Sequence, residues 1–140
     1  MINNYTKGQE MALMFLRLVL GVVFFYAGYV KWGMWSAAPE GMSAGMVLLM
    51  KFLSIVEPLG AVAVIIGFLT RWAAAGFSII MVGAIVLLQF MMGISFSGAT
   101  GAGWNFPLMV LAGSLVLMTF GPGSWSLEAK LKAKQTPMVV

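Results

Sequence analysis

The sequence contains no cysteine and no histidine, and only 9% of its 140 residues are charged. Without cysteine, the chain cannot form a disulfide, an iron–sulfur cluster or a thiolate zinc site. Without histidine, it has no imidazole ligand for a metal or a haem, and no serine–histidine–aspartate triad. We therefore predict a protein with no bound metal and no covalently attached cofactor.

The scarcity of charge has a second consequence, because 61% of the residues are hydrophobic. A soluble domain carries about 25% charged and about 45–50% apolar residues. A single core in a chain of this length cannot bury so much apolar surface. We expect lipid to surround most of the chain, which forms one membrane domain over residues 1–140.

Four apolar segments approach the length of about 20 residues that a membrane-spanning helix needs. They cover residues 11–30, 46–69, 72–92 and 104–120. The motif Gly121-Pro122-Gly123 ends the last segment, since glycine and proline terminate helices. The sequence predicts an all-α, integral membrane four-helix bundle with a tail at residues 121–140.

The basic residues predict how this bundle is oriented. Lys7, Arg71 and a group of three lysines in the tail all fall on one side of four spans. Basic loops stay on the cytoplasmic side of a membrane, so both termini are expected to be cytoplasmic. The basic residues form no continuous stripe, and we therefore predict no nucleic-acid partner.

Arg17 and Glu57 lie inside apolar segments, where an ionisable side chain is costly and marks a candidate functional site. Pro58 follows Glu57, lacks an N–H and disturbs the helix at the carbonyl of Ser54. The two charges are expected to face a shared interior at depths about 9 Å apart, which a long arginine, a water or a ligand group could bridge. Two interpretations are open: a structural role, or a ligand or proton site.

Glycines share helix faces with these charges at spacings of three and four residues. The first face holds Arg17, Gly21, Gly28 and Lys31, and the second holds Glu57, Gly60, Gly67 and Arg71. Glycine lets two helix backbones approach closely in a membrane. These faces are therefore expected to meet in the core of the bundle.

Three further polar residues lie toward the outer side of the predicted bundle. Lys31 and Lys51 would either anchor the chain at the membrane interface or bind an anionic head group or substrate. Asn105 would either cap the fourth helix or donate a hydrogen bond to a carbonyl ligand. The tryptophans near the span ends fit an aromatic belt; they are Trp32, Trp35, Trp72, Trp104 and Trp125.

Three stretches together resemble one family, the DoxX-like bacterial membrane proteins. They are Arg17-Leu18-Val19-Leu20-Gly21, then Glu57-Pro58-Leu59-Gly60 continuing through Gly67 to Ala74, and finally Gly121-Pro122-Gly123 through Glu128. The resemblance implies a multi-pass protein of the bacterial inner (cytoplasmic) membrane. Relatives include the DoxD-type subunit of thiosulfate:quinone oxidoreductase. Many relatives carry an acid near the start of the fourth span, where this chain has Asn105.

From the residues and the resemblance we expect an accessory subunit of a quinone-linked redox complex, without catalytic activity of its own. Its core would bind a quinone or a lipid, with Arg17, Lys31, Lys51 and Asn105 as donors to quinone carbonyls. Its partners would be the lipid bilayer and other membrane subunits. Two alternatives stay open: a purely structural subunit of a large membrane assembly, and a small proton-coupled transporter that works as a dimer through Glu57.

Overall fold

The computed structural model describes residues 5–98, 101 and 103–135, and within these residues it contains helices and no strands. The helices are α1 (Lys7–Lys31), α2 (Ala44–Ile66), α3 (Thr70–Val86), α4 (Asn105–Phe120) and α5 (Leu127–Gln135). A 3-10 turn over Trp32–Trp35 continues α1, and a π-helical turn over Leu87–Met91 continues α3. The predicted all-α membrane bundle is confirmed. The last five residues of the predicted tail lie outside the described part of the chain.

Among the described residues, three helical stretches are long and apolar enough to cross a membrane. They are Lys7–Trp35, Ala44–Ile66 and Thr70–Met91, with mean hydropathies of 2.1, 2.0 and 2.2. Helix α4 is also apolar but shorter, at 16 residues. Its length of about 24 Å is less than the hydrocarbon thickness of about 30 Å. The fourth span and the cytoplasmic termini therefore stay predictions.

Glycines in the left-handed region determine where two of the helices end. Gly121 has φ 82° and ends α4, as the sequence predicts. Gly67 has φ 75° and ends α2 at Ile66, before the predicted boundary at residue 69. The chain turns there, so the prediction that Arg71 shares a helix face with Glu57 is wrong. Arg71 belongs to the first turn of α3.

The bundle is built from two packed helix pairs. Helix α1 lies along α2, α3 lies along α4, and the pairs meet through α2 with α3 and α1 with α4. The rings of Phe24 and Phe77 stack 3.5 Å apart at the centre. The buried apolar core consists of Leu13, Leu20, Phe24, Ala61, Val64, Ala74, Phe77, Val110 and Leu117.

Helix α1 runs antiparallel to α2, and two of the predicted glycines allow the contact. A Cβ added at Gly21 would overlap the side chain of Ile65, and one added at Gly28 would overlap the ring of Pro58. Gly60 plays a similar part between α2 and α3, because a Cβ there would lie 2.8 Å from the Phe77 ring. This register places Arg17 beside the carboxyl end of α2 and Lys31 beside its middle.

Candidate functional site

Arg17 is bound by backbone carbonyls. Its guanidinium donates to the carbonyls of Val64 at 3.0 Å, Ile65 at 2.8 Å, Pro122 at 2.7 Å and Trp125 at 3.0 Å. The final carbonyls of a helix lack intrahelical donors and carry partial negative charge. Arg17 therefore satisfies the end of α2 and ties it to the segment that follows α4, and it is only 3% exposed.

Glu10 lies in the same region and is not among the site residues predicted from the sequence. Its carboxylate is buried and accepts the backbone N–H of Ser124 at 2.6 Å. A signal was present, because Glu10 precedes Arg17 by two helical turns and so continues the face of α1 that carries Arg17. We call Glu10, Arg17, Gly67 and residues 121–126 the clasp.

The clasp is where the three stretches that suggested the family meet. A Cβ at Gly67 would lie 2.5 Å from the Cβ of Ser126 and 2.8 Å from Nη2 of Arg17. A Cβ at Gly121 would lie 2.9 Å from Nε of Arg71. These glycines are required by close packing as well as by their positive φ. The close packing of the clasp thus accounts for the glycines at positions 67 and 121, and the side chain of Arg71 lies beside Gly121.

Glu57 pairs with Lys31 rather than with Arg17. The Nζ of Lys31 lies 2.6 Å from Oε2 of Glu57 and also donates to the carbonyl of Ala27 at 2.9 Å. The Glu57 side chain is 2% exposed and that of Lys31 is 19% exposed. The sequence left a direct bond between Arg17 and Glu57 open, and the structure shows none, because Arg17 binds the carbonyl of Val64, about 10 Å further along α2. Lys31, for which the sequence left an anchoring and a binding role open, directs its ammonium into the protein.

Pro58 organises the surface next to this ion pair. Because proline has no N–H, the carbonyl of Ser54 has no donor within the helix. The indole N–H of Trp32 donates to that carbonyl at 2.8 Å, and the indole N–H of Trp35 donates to the Ser54 hydroxyl at 3.0 Å. The hydroxyl itself donates to the carbonyl of Lys51 at 2.7 Å. Two tryptophans are thereby hydrogen-bonded to Ser54, the residue whose carbonyl receives no N–H from Pro58.

The tryptophans and α2 enclose an open groove of about 500 Å³. We call it the aromatic groove; it is lined by Trp32, Trp35, Ser54, Ile55, Pro58 and Leu59. Its volume falls within the range of about 300–1,000 Å³ found for small-molecule sites. Lys31 and Glu57 immediately precede two of the lining residues in sequence. Lys51 lies above the groove, with its Nζ 5.3 Å from the centre of the Trp35 ring.

Asn105 has a local role at the start of α4. Its side-chain oxygen accepts the N–H of Phe106 at 2.8 Å, and its own N–H donates to the carbonyl of Phe96 at 3.1 Å. In the described part of the chain, no hydrogen bond links Asn105 to the aromatic groove. The structure thus joins Lys31 to Glu57 and places Lys51 over the Trp35 ring, and it leaves Arg17 and Asn105 elsewhere.

The arrangement at the aromatic groove can bind a flat molecule that carries an oxygen acceptor. Two indoles and a proline ring offer apolar faces. An ammonium has three N–H donors, and the described contacts of Lys31 use two of them. The third N–H has no partner among these contacts. Neither Lys31 nor Glu57 lines the groove itself, and both adjoin it through their sequence neighbours Trp32 and Pro58.

The fold and its buried charges define an integral membrane protein built from helices. Residues 12–90 match the family model described as DoxX. The chain is 31% identical over 138 residues to the uncharacterized membrane protein Rv3486 of Mycobacterium tuberculosis, an alignment that covers 86% of this chain and 82% of that relative. No solved structure gives a significant match. The chain belongs to the DoxX family, and the matched range includes Arg17, the Lys31–Glu57 pair and the aromatic groove.

Proposed function

We propose that this DoxX-family chain is an accessory subunit of a quinone-linked redox complex in the bacterial inner membrane. The observation that carries the proposal is the aromatic groove beside the Lys31–Glu57 pair. An apolar slot is thereby adjoined by a partly buried ammonium, since Lys31 directly precedes the lining residue Trp32 in the sequence. Those are the two features that recognition of a quinone ring requires.

A quinone has a planar ring, two carbonyl acceptors and an isoprenoid tail. The ring would lie against the indoles of Trp32 and Trp35, with one carbonyl accepting the remaining N–H of Lys31. Glu57 would hold Lys31 in place by their 2.6 Å contact. The tail would leave along the lipid-facing side of α2, where Phe52 and Leu59 are exposed.

The role is that of a binding subunit because the chain has no electron carrier of its own. Reduction of a quinone to a quinol takes two electrons and two protons. The sequence has neither the cysteines that bind an iron–sulfur cluster nor the histidines that bind a haem. A partner subunit would therefore supply the electrons, and this chain would hold the quinone near that partner.

The test measures the quinone retained per chain after purification in a mild detergent. Leu59→Trp would fill the aromatic groove, and we expect it to lower the retained quinone at least about tenfold, which corresponds to about 1.4 kcal/mol of binding energy. Leu48→Trp is the matched control, because Leu48 lies on the same helix and does not line the groove. The two leucines are similarly exposed, at 66% for Leu59 and 71% for Leu48.

Other outcomes of the same preparation would replace this proposal. Full retention of quinone in Leu59→Trp, or equal loss in both variants, would refute the groove assignment. Isolation of the chain only within a stable hetero-complex that contains no quinone would support the purely structural subunit. Solute uptake into proteoliposomes that Glu57→Gln abolishes would support the proton-coupled transporter.

A further inference from the structure

The C-terminal helix α5 carries a mixed apolar and basic face. At about 100° per residue, Leu127, Leu131 and two lysines fall within a sector about 100° wide. We call this the α5 face; its members are Leu127, Lys130, Leu131 and Lys134. All four side chains are exposed. Leucines flanked by lysines in one sector suit a helix that lies along a membrane interface, because a long lysine stem can cover apolar surface while its charge extends to the head groups.

The charge on the α5 face is not neutralised within the described structure. Lys132 pairs with Glu128 at 2.7 Å, and both residues lie on another side of the helix. Across residues 5–98, 101 and 103–135, no ion pair involves Lys130 or Lys134. Two positive charges therefore stand beside two exposed leucines, and a partner for this face must be negatively charged.

The clasp fixes where α5 begins. Arg17 binds the carbonyls of Pro122 and Trp125, and the N–H of Glu128 donates to the carbonyl of Gly67 at 3.0 Å. Gly67 lies in the turn between two helices that are long enough to cross the membrane. Helix α5 is thus held at the level where those helices leave the hydrocarbon. The exposed indole of Trp125 suits that level, since tryptophan favours the interface.

We propose that α5 is an interfacial helix that anionic phospholipid head groups hold against the bilayer. The leucines of the α5 face enter the boundary between acyl chains and head groups, and the lysines extend toward the phosphates. Anionic lipid is the occupant that the position favours, because the clasp keeps α5 beside the bilayer that surrounds the rest of the chain. The proposal is independent of quinone binding.

The test uses a nitroxide label on the full chain. The native sequence has no cysteine, so Ala133→Cys provides a single attachment point at an exposed position outside the α5 face. The chain is placed in bilayers of phosphatidylcholine alone or of phosphatidylcholine with phosphatidylglycerol. The spectrum gives the ratio of immobilised to mobile label. We expect the immobilised fraction to dominate only when phosphatidylglycerol is present.

Lysine variants of the labelled chain distinguish an effect of the α5 face from an effect of net charge alone. We expect Lys134→Gln to lower the ratio about fivefold, the factor that corresponds to about 1 kcal/mol per basic residue near an anionic surface. Lys132→Gln makes the same charge change on the same helix but outside the α5 face, and it should leave the ratio within about twofold. The double variant Lys130→Gln/Lys134→Gln should lower it by about 25-fold.

Three results would overturn the proposal. The first is an equal ratio in neutral and anionic bilayers, which would mean that the lysines do not select the lipid. The second is an equal effect of Lys132→Gln and Lys134→Gln. The third is a label that stays mobile in anionic bilayers but is immobilised in native membranes, which would assign the α5 face to an acidic partner protein.

Discussion

Two regions of the α1–α2 pair hold buried charge in different ways. At the clasp, the guanidinium of Arg17 is surrounded by four backbone carbonyls. Near the aromatic groove, Lys31 and Glu57 hold each other by side-chain atoms, and each directly precedes a residue that lines the groove. Backbone carbonyls of packed segments cannot move away to admit a ligand, whereas a side-chain donor beside a groove can bind one. We therefore propose a structural role for the clasp and a binding role for the groove.

The largest effect on stability should come from Arg17→Lys at the clasp. Lysine keeps the charge but has three donors on one atom, so it cannot reach carbonyls on both α2 and the segment after α4. Each buried acceptor left without a partner costs about 1–3 kcal/mol. We expect the free energy of unfolding to fall by about 3 kcal/mol or more, measured by circular dichroism during unfolding in mixed micelles.

The control for that change is Lys7→Gln, at an exposed position on the same helix. It should alter the free energy of unfolding by less than about 0.5 kcal/mol. Parental stability of Arg17→Lys would show that the carbonyl contacts are not what holds the clasp together.

The next effect concerns the packing beneath the aromatic groove. In Gly28→Ala the new Cβ would overlap the ring of Pro58, which cannot rotate away. Overpacking of this kind costs about 1–3 kcal/mol. We expect a lower midpoint of thermal unfolding and a loss of retained quinone, since Pro58 lines the groove.

Gly76→Ala is the matched control within helix α3. No heavy atom lies within 4 Å of a Cβ placed there. Alanine is favoured over glycine in a helix by about 1 kcal/mol, so this variant should be as stable as the parent or more stable. If Gly28→Ala behaves in the same way, the contact between α1 and Pro58 is not close enough to matter.

A smaller effect on stability, with a large effect on binding, is expected for Glu57→Gln. The amide keeps the shape of the carboxylate but holds the Lys31 ammonium less firmly, so Lys31 no longer presents its donor to the groove. One charge-assisted hydrogen bond is worth about 1.5 kcal/mol, which predicts about tenfold less retained quinone. Parental quinone content in purified Glu57→Gln would remove Lys31 and Glu57 from the site.

The smallest effect should come from Glu10→Gln in the clasp. The amide oxygen can still accept the N–H of Ser124, so the free energy of unfolding should fall by about 1 kcal/mol or less. Glu10→Leu removes the acceptor and should cost more. The exchange rate of the Ser124 amide hydrogen can be measured in each variant. We expect it to be faster in Glu10→Leu than in Glu10→Gln. The reverse order would mean that the 2.6 Å contact contributes nothing.

Much of the fold follows from patterns that the sequence displays directly. The apolar runs predict the long helices, because their lengths match a bilayer. Gly121 predicts the end of α4, because glycine alone adopts its φ of 82° without strain. The predicted end of α2, at residue 69, lies three residues beyond the observed end at Ile66. The apolar run continues through Phe68 and Leu69, so hydropathy does not reveal the turn at Gly67.

The site was harder to predict, because its contacts depend on atoms that the residue pattern does not show. Arg17 binds backbone carbonyls, which carry no residue-type signal. Counting residues along the helices gives the depth of each charged residue in the membrane. It does not show how far the flexible side chain of Lys31 reaches back toward Glu57. The sequence positions of Trp32 and Trp35 fit an aromatic belt as well as they fit the lining of a groove. The missing N–H of Pro58 is the sequence feature that could have suggested their hydrogen bonds to Ser54.

The assignment of binding to the groove rather than the clasp can be tested most directly by photolabelling. The full chain in native-lipid bilayers would be irradiated with a photoreactive quinone analogue, and the labelled residues would be identified by mass spectrometry. We predict labels on Trp32, Trp35 and residues 54–59 that excess unmodified quinone suppresses. Suppressible labels at residues 121–126 or on α3, with none in the aromatic groove, would contradict the account.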